Sequence, residues 1–341
     1  MRKFLFFFAL AAFFPASSAP TAAGEDAAPA ANFVLIGWDG AQRAHVKELL
    51  AAGKLPNLAR LIKEGGLAET RVGTGTTQTK PGWAEILTGV AAARFKIMSN
   101  NEYRPIPPGY TVFERLKARF GEGVATVFIA GKRYNLGARG PHEICLNAYT
   151  RDPATMTQAH YLDKALFKGK TRDGKPPEWV RREGEPYFYA VKAVDFHYAA
   201  DSPDGTVVKK AVEALKKFKK KPFFAFVHFR EPDEEGHLYG ENSPEYGEAL
   251  VRLDGRLGEI SETLKRLGLY SKTAVAVTSD HGFDEGERIH RHAPYMIFAA
   301  NRAVVPREGD RKDVTPTVLD WFGFDPGKLY PRAEGRSLFK K

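Results

Sequence analysis

The sequence contains a single cysteine, Cys145, which excludes a framework of intrachain disulfides and any metal site built from several cysteines. No segment after residue 31 is long and apolar enough for a transmembrane helix, which needs about 20 such residues. Internal repeats are absent, and low complexity is confined to an alanine-rich stretch near the start. The 341 residues include 43% hydrophobic and 12% aromatic side chains, so we expect a large packed core.

The start of the chain has the layout of a secretory signal peptide, with a basic beginning, an apolar run at residues 4–14 and small residues after it. The run is too short to span a bilayer. Pro20 makes cleavage after Ala19 unfavourable, so we expect cleavage after Ala23. We therefore predict a periplasmic or secreted protein with a signal peptide at 1–23, a flexible leader at 24–31 and one domain at 32–341.

Short apolar runs alternate with longer amphipathic segments along the rest of the chain. The runs predict strands at 33–36, 124–130, 223–229 and 273–278, and the amphipathic segments predict helices at 41–52, 58–63, 111–119, 207–219 and 246–267. None of the runs alternates strictly between apolar and polar residues, so both faces of the sheet should be covered. This order predicts an α/β fold, a three-layer sandwich with helices on both faces of a mostly parallel sheet.

The remaining features are a polar segment and an excess of positive charge. Residues 137–205 lack periodicity and are predicted to form a central insertion, a candidate cap on the site. The formal net charge of +10 suits an anionic substrate or surface without identifying one. The lysine-rich run at 216–221 ends a predicted helix, where cations are favourable, and no nucleic-acid-binding motif accompanies it. We therefore expect no specific nucleic-acid binding.

Three predicted strands lead into acidic residues, and two of these acids have a histidine nearby. They are Asp39, Asp233 with His237, and Asp280 with His281. Each acid alone is well explained as a turn or helix-cap residue. Ligands of open α/β sheets bind beyond the carboxyl ends of the strands, however, so these side chains should meet at one edge. Such a cluster needs bound cations to offset its repulsion, and mixed Asp and His ligands favour zinc, with manganese next.

Thr79 lies in a polar loop that opens a short predicted helix, with Pro81 in the first turn. A threonine at such a position is most often a helix N-cap. Beside a divalent cation, the same hydroxyl can lose its proton at neutral pH and act as a nucleophile. Thr79 is therefore a candidate nucleophile, with the N-cap role as the alternative.

Four motifs occur in the order found in the alkaline phosphatase superfamily. They are Gly37-Trp38-Asp39-Gly40, Thr79-Lys80-Pro81 with Leu87-Thr88-Gly89, residues 231–237, and Ser279-Asp280-His281-Gly282. Within the superfamily, the sequence resembles the type I phosphodiesterase/nucleotide pyrophosphatase branch. The resemblance extends to residues 313–317 and 335–338, and the predicted insertion is the part that does not match.

The resemblance implies a site with two divalent metal ions, with zinc as the favoured metal. One ion would be held by Asp39, Asp280, His281 and the Thr79 oxygen, and the other by Asp233, His237 and a further histidine. His290 and His292 are both candidates for that further ligand. Relatives place it a few residues before the proline that opens a strand, which favours His290.

Three other polar residues are candidates for supporting roles. Asn100 falls where the phosphodiesterases have an asparagine that hydrogen-bonds a phosphate oxygen, and a plain turn residue is the alternative. Lys132 follows the strand predicted at 124–130 and could reach a phosphate from the same edge, or be a solvated loop lysine. His228 alternates within a buried strand, so we expect a hydrogen-bonded core residue.

The function implied by the resemblance is that of an exported bimetallic phosphodiesterase with a phosphothreonyl intermediate. Its substrate would be a small phosphate ester, such as a nucleotide or a phospholipid headgroup. A phosphomonoesterase or phosphonate hydrolase remains open, because the metal ligands do not separate these chemistries. A sulfatase is disfavoured, because those enzymes need a cysteine or serine where Thr79 stands. A non-catalytic anion-binding protein is also disfavoured, because the set of candidate ligands is intact.

Overall fold

The computed structural model describes residues 31–73, 75–148, 164, 167 and 171–340. The predicted signal peptide and all but the last residue of the predicted leader lie outside the described residues. None of the helices in the described part of the chain is both long and apolar enough to cross a membrane.

The described residues form ten strands, of which eight make one central sheet. The strands are β1 Asn32–Trp38, β2 Gly66–Arg71, β3 Ala125–Ala130, β4 His142–Cys145, β5 Trp179–Arg182, β6 Phe196–Ala199, β7 Phe223–Phe229, β8 Thr273–Thr278, β9 Tyr295–Ala300 and β10 Gly309–Asp310. The order in the central sheet is β10-β2-β9-β8-β1-β7-β3-β6. All neighbours are parallel except β9, which runs antiparallel to both β2 and β8.

Helices cover both faces of this sheet. They are α1 Arg43–Ala51, α2 Pro56–Glu64, α3 Thr79–Thr88, α4 Val112–Phe120, α5 Arg133–Leu136, α6 Asp204–Lys217, α7 Glu231–Tyr239, α8 Pro244–Arg266 and α9 Val314–Trp321. Side chains alternate along each strand, so β1 directs Phe33 and Leu35 toward α3, α4 and α9. Val34 and Ile36 point the other way, into a second core beneath α1, α2, α6 and α8. The predicted three-layer α/β sandwich is thus confirmed.

The predicted insertion at 137–205 contributes partly to the central sheet itself. Its last part forms β6, which pairs in parallel with β3 at the edge of the sheet. The part before β6 carries an antiparallel pair, β4 with β5. His142 of this pair packs edge-on against Tyr103, with ring centroids 5.7 Å apart. Residues 149–163, 165–166 and 168–170 of the insertion lie outside the described residues, and a capping role stays a prediction.

Candidate active site

The three strands at the centre of the sheet, β8, β1 and β7, deliver the acidic residues to one edge. Asp39 follows β1, Asp233 lies on α7 just after β7, and Asp280 follows β8; all three are at most 2% exposed. The connections after β1 and β7 approach closely at Gly40, whose φ is +70°. A Cβ there would lie 2.9 Å from the Asp233 Cα, so only glycine allows this approach.

Two groups of ligand atoms result, and the first contains Asp39, Asp280, His281 and Thr79. The His281 Nε2 lies 3.3 Å from Asp280 Oδ2 and 3.7 Å from Asp39 Oδ1. The Thr79 Oγ1 lies 3.4 Å from the same nitrogen. The Gly40 N–H donates to Asp280 Oδ1 at 3.2 Å, which leaves Oδ2 for the group. The structure therefore brings together all four residues of the first predicted set.

The second group contains Asp233, His237 and His290. The Nε2 atoms of the two histidines lie 3.1 Å apart, and each is 3.4 Å from Asp233 Oδ1. His292, the alternative to His290, points away: its side chain is 87% exposed and lies beside Asp284. The geometry favours His290 as the third member.

The three histidines of the site share one hydrogen-bonding pattern. Each Nδ1 donates to a backbone carbonyl: His237 to Arg288 at 2.7 Å, His281 to Gly282 at 3.0 Å and His290 to Thr77 at 2.5 Å. A carbonyl can only accept, so each Nδ1 carries a proton, and in this tautomer the Nε2 lone pair points into the site. Burial and the neighbouring His281 lower the pKa of His290 to about 3, which keeps this ring neutral. Two lone pairs 3.1 Å apart repel, and a cation between them removes the repulsion.

Lys132 is the buried cation of the cluster. Its side chain is 4% exposed, its Nζ lies 3.1 Å from Asp39 Oδ1 and 3.4 Å from Thr79 Oγ1, and it also pairs with Asp233 Oδ2. Lys132 therefore belongs to the site rather than to a solvated loop. Its ammonium links the first group to the second through one carboxylate of each.

One ammonium does not compensate three buried carboxylates. Burial alone would raise the pKa of Asp39 and Asp233, but the Lys132 charge together with the neighbouring histidines lowers both. Asp280 lies outside the hydrogen bonds of Lys132, and burial together with the Asp39 charge raises its pKa well above the usual range despite the more distant Lys132 charge. Two buried oxygens, Asp233 Oδ1 and Asp280 Oδ2, have no hydrogen-bond partner among the described residues. Unpartnered carboxylate oxygens facing histidine lone pairs fit two divalent cations.

Thr79 is the first residue of α3, and its hydroxyl belongs to the first group, beside the Lys132 ammonium that links this group to the second. Gln78 occupies the N-cap position, so the capping role considered for Thr79 does not apply. The Thr79 side chain is buried, and its Oγ1 contacts both Lys132 Nζ and His281 Nε2 at 3.4 Å. A hydroxyl so placed has a proton acceptor on one side and a cation on the other.

A comparison with known families identifies the chain. A model of the type I phosphodiesterase/nucleotide pyrophosphatase family matches residues 33–319. The protein belongs to this family. The match spans the central sheet from β1 to β10 and every residue of both ligand groups, so the resemblance of the motifs is confirmed.

The curated relatives of this protein have names that refer to nucleotides. The bis(5'-adenosyl)-triphosphatase enpp4 of Mus musculus is 24% identical over 262 residues, covering 74% of this chain and 47% of the relative. Its Homo sapiens counterpart is 22% identical over 255 residues, covering 74% and 48%. Ectonucleotide pyrophosphatase/phosphodiesterase family member 7 of Homo sapiens is 39% identical over 110 residues, 28% of this chain and 24% of the relative. The chain thus spans about half the length of the first two relatives.

Solved structures confirm the fold of the family member. BT4656, in complex with its substrate D-glucosamine-2-N,6-O-disulfate, aligns with a TM-score of 0.53 at 15% identity, covering 91% of this chain and 79% of that one. Ps i-CgsB in complex with k-i-k-neocarrahexaose aligns with a TM-score of 0.52 at 17% identity, covering 91% and 75%. These similarities establish the alkaline phosphatase-like fold and nothing about the reaction.

Asn100 lies directly beside the start of α3. Its Oδ1 accepts from the Lys80 backbone N–H at 2.8 Å, one residue after Thr79. No described residue hydrogen-bonds to its Nδ2. A plain turn role does not explain this hydrogen bond, because the Asn100 side chain is oriented by the helix that carries Thr79.

His228 supports the first group, which the sequence did not predict. Its Nε2 hydrogen-bonds to Asp39 Oδ2 at 2.8 Å, and the ring is fully buried beside Trp83. The expectation of a hydrogen-bonded core residue was sound, but its partner could be found only from the pairing of β7 with β1. The available signal was an ionisable side chain near the carboxyl end of an otherwise apolar strand.

Proposed function

We propose that this protein is an exported phosphodiesterase, of nucleotide pyrophosphatase type, that uses Thr79 as its nucleophile. The observation that carries the proposal is the position of the Thr79 hydroxyl, buried at the start of α3 and shared by His281 and Lys132. Family membership supports the class of reaction, and the names of the curated relatives favour a nucleotide-type substrate over a phospholipid headgroup. Export rests on the predicted signal peptide.

The site would hold two divalent cations, with zinc favoured by the mixed carboxylate and imidazole donors. The residues of the first ion would be Asp39, Asp280, His281 and the Thr79 oxygen, and those of the second Asp233, His237 and His290. When bound, such ions lower the pKa of a hydroxyl or water and stabilise charge on phosphoryl oxygens.

Hydrolysis would proceed in two displacements at phosphorus. In the first, Thr79 Oγ1 gives up its proton and bonds to phosphorus, the bond to the leaving oxygen breaks, and that oxygen departs as an alcohol. In the second, water attacks the phosphothreonine, its oxygen bonds to phosphorus, and the Thr79 hydroxyl is restored as the monoester leaves. Asn100 Nδ2 would donate to a non-bridging oxygen, and Lys132 would hold Asp39 and Asp233 in place beside Thr79.

The charge of the site supports a diester over a monoester. With two dications bound, these ions and Lys132 would face three carboxylates and an ionised Thr79, which would leave a single positive charge. A phosphodiester carries one negative charge and matches this balance, whereas a monoester dianion adds a second charge. A sulfatase is not supported, because Thr79 replaces the cysteine or serine that those enzymes modify.

The deciding experiment compares kcat/KM for bis(p-nitrophenyl) phosphate and p-nitrophenyl phosphate on the zinc-loaded protein. We expect a preference for the diester, and loss of turnover in Thr79→Ala with metal content unchanged, because the nucleophile is removed and the other ligands stay. Thr88→Ala is the matched control: it removes a buried threonine hydroxyl from the far end of α3, where it donates to Ala84. Retained turnover in Thr79→Ala would refute the nucleophile, and a monoester preference would make the protein a phosphatase.

A further inference from the structure

The residues on either side of Thr79 both bind the segment that carries Asn100. The Gln78 Oε1 accepts from the Asn100 N–H at 2.7 Å. The Lys80 N–H donates to Asn100 Oδ1 at 2.8 Å, and the Lys80 Nζ donates to Asn100 O at 2.7 Å and Glu102 O at 2.9 Å. We call this set of hydrogen bonds the Gln78–Lys80 clamp.

The amino group of Lys80 is buried, and burial lowers its pKa to about 7. Its side chain is fully buried, and its hydrogen-bond acceptors are two neutral carbonyls. The Nζ also lies 4.0 Å from the centroid of the Tyr103 ring. No carboxylate of the described residues pairs with it within 4.0 Å. A buried amino group without a carboxylate partner, whether protonated or neutral, is less stable than an apolar side chain of similar size, so packing alone does not explain a lysine here.

The clamp fixes which end of the Asn100 amide is free. Its Oδ1 is held by the Lys80 N–H, and a rotated amide would bring two donors together. The Nδ2 is therefore the end left for a ligand. Because the same clamp is built on the residues flanking Thr79, the amide donor and the candidate nucleophile are held as one unit.

We propose that Lys80 and Gln78 are positioning residues that hold the Asn100 amide toward the phosphoryl group attacked by Thr79. This inference rests on the proposed function, in which Asn100 donates to a non-bridging phosphate oxygen. The ligand class is a tetrahedral phosphate group, recognised by a neutral amide donor whose orientation is set by the protein. Lys80 itself touches no substrate, and its effect passes through Asn100.

A double-mutant cycle on the zinc-loaded protein tests the clamp. We expect Asn100→Ala to lower kcat/KM for bis(p-nitrophenyl) phosphate by about 100-fold, as for loss of one donor to a charged oxygen. Lys80→Met should lower it by about 10-fold through misplacement of that donor. In the Asn100→Ala background, Lys80→Met should cost less than about 2-fold, because the two changes remove the same interaction. Equal losses in both backgrounds would overturn the proposal.

Two further variants separate positioning from general destabilisation. Gln78→Met breaks the other arm of the clamp at a half-buried residue, and should also act only when Asn100 is present. Lys117→Met is the matched control: it removes another largely buried ammonium, paired with Asp195 near the opposite ends of the strands, and should leave kcat/KM within about 2-fold. The role of the clamp would be merely structural under two combined results. These are a wild-type kcat/KM in Gln78→Met, and a loss in Lys80→Met that is the same with and without Asn100.

Binding of inorganic phosphate to the zinc-loaded protein, measured by calorimetry, separates this inference from the proposed function. The clamp predicts weaker phosphate binding in Lys80→Met and Asn100→Ala, without further loss in the double variant. If the variants show this pattern of phosphate binding but the wild type has no diesterase activity, the clamp is supported and the proposed function is refuted. Phosphate binding that is absent from the wild type, or unchanged by Lys80→Met, would overturn the clamp.

Discussion

At the scale of single residues, Lys132 explains how three buried carboxylates coexist. It pairs with Asp39 and Asp233, one from each ligand group, and lowers the pKa of both against the effect of burial. Asp280 lies outside its hydrogen bonds, and its pKa rises instead. The lysine thus compensates part of the charge, and the unpartnered oxygens fit the cations that we propose compensate the rest.

Asp204 makes a prediction about pH that is independent of the site. It begins α6 and is fully buried, accepting from the backbone N–H groups of Arg230 and Glu231. Burial and then the Glu231 charge raise the pKa of Asp204 to about 8. Between about pH 4 and 8 the unfolded chain has lost this proton and the folded chain keeps it, so the free energy of unfolding falls as pH rises.

Asp204→Asn should therefore flatten the fall in stability between about pH 5 and 8. Urea unfolding of the chelator-treated protein at a series of pH values measures the slope in both proteins. The contributions of the other titrating groups, Asp280 included, are common to both and cancel in the difference. Parallel slopes would show that Asp204 titrates at the same pH in the folded and unfolded chain.

At the scale of elements, α3 lies against β1 at a contact that only glycine permits. A Cβ at Gly37 would overlap the Cη2 of the Trp83 ring. Trp83 packs on Phe226 and places its Nε1 3.5 Å from Asp39 Oδ2, so the contact also sets where β1 ends relative to the site. Gly37→Ala should lower the free energy of unfolding by about 1–3 kcal/mol through overpacking.

Trp83→Phe tests whether the overlap is the cause, because phenylalanine lacks the part of the indole that a Cβ at Gly37 would meet. We expect Gly37→Ala to cost less in the Trp83→Phe background than in the wild type, as measured by urea unfolding of the chelator-treated protein. An equal cost in both backgrounds would assign the destabilisation to the backbone of β1 instead.

The sequence predicted the long elements well and the short ones poorly. The four strands and five amphipathic helices for which it gave bounds are all present, with ends that differ from the structure by three residues or fewer, and so is the short helix predicted near Thr79. β9 was not predicted, although it is a buried apolar run. β2, β6 and β10 were also not predicted, because they are short, partly exposed strands toward the two edges of the sheet. Their patterns carry too little apolar periodicity to separate a strand from a loop.

At the scale of the whole molecule, the strand order assembles the site. β8, β1 and β7 are neighbours in space although they begin at residues 273, 32 and 223. The rule that ligands bind beyond the carboxyl ends of parallel strands therefore predicted the meeting of Asp39, Asp233 and Asp280. It could not choose between His290 and His292, because that choice depends on how the loop before β9 folds back. It placed Lys132 at the same edge without showing whether the side chain turns into the site.

Metal removal should act on stability and activity together. A chelator should abolish turnover and lower Tm, because Asp39, Asp233 and Asp280 are then left with Lys132 as their buried cation. Zinc at about 100 times its Kd should restore about 2.7 kcal/mol per site by mass action. Differential scanning calorimetry with and without added zinc measures this, and a Tm that does not respond to the chelator would contradict the proposed metal site.

The two histidines near Pro294 allow the metal content to test the geometry itself. The His290 Nε2 lies 3.1 Å from the His237 Nε2, whereas the His292 side chain is 87% exposed. His290→Ala should therefore reduce the bound zinc from about two ions per chain to about one, because the second group keeps only two ligands. His292→Ala, two residues away, should keep both ions and full turnover. Atomic emission analysis of the dialysed proteins measures the zinc content. Loss of one zinc ion in His292→Ala but not in His290→Ala would make His292 the metal ligand instead.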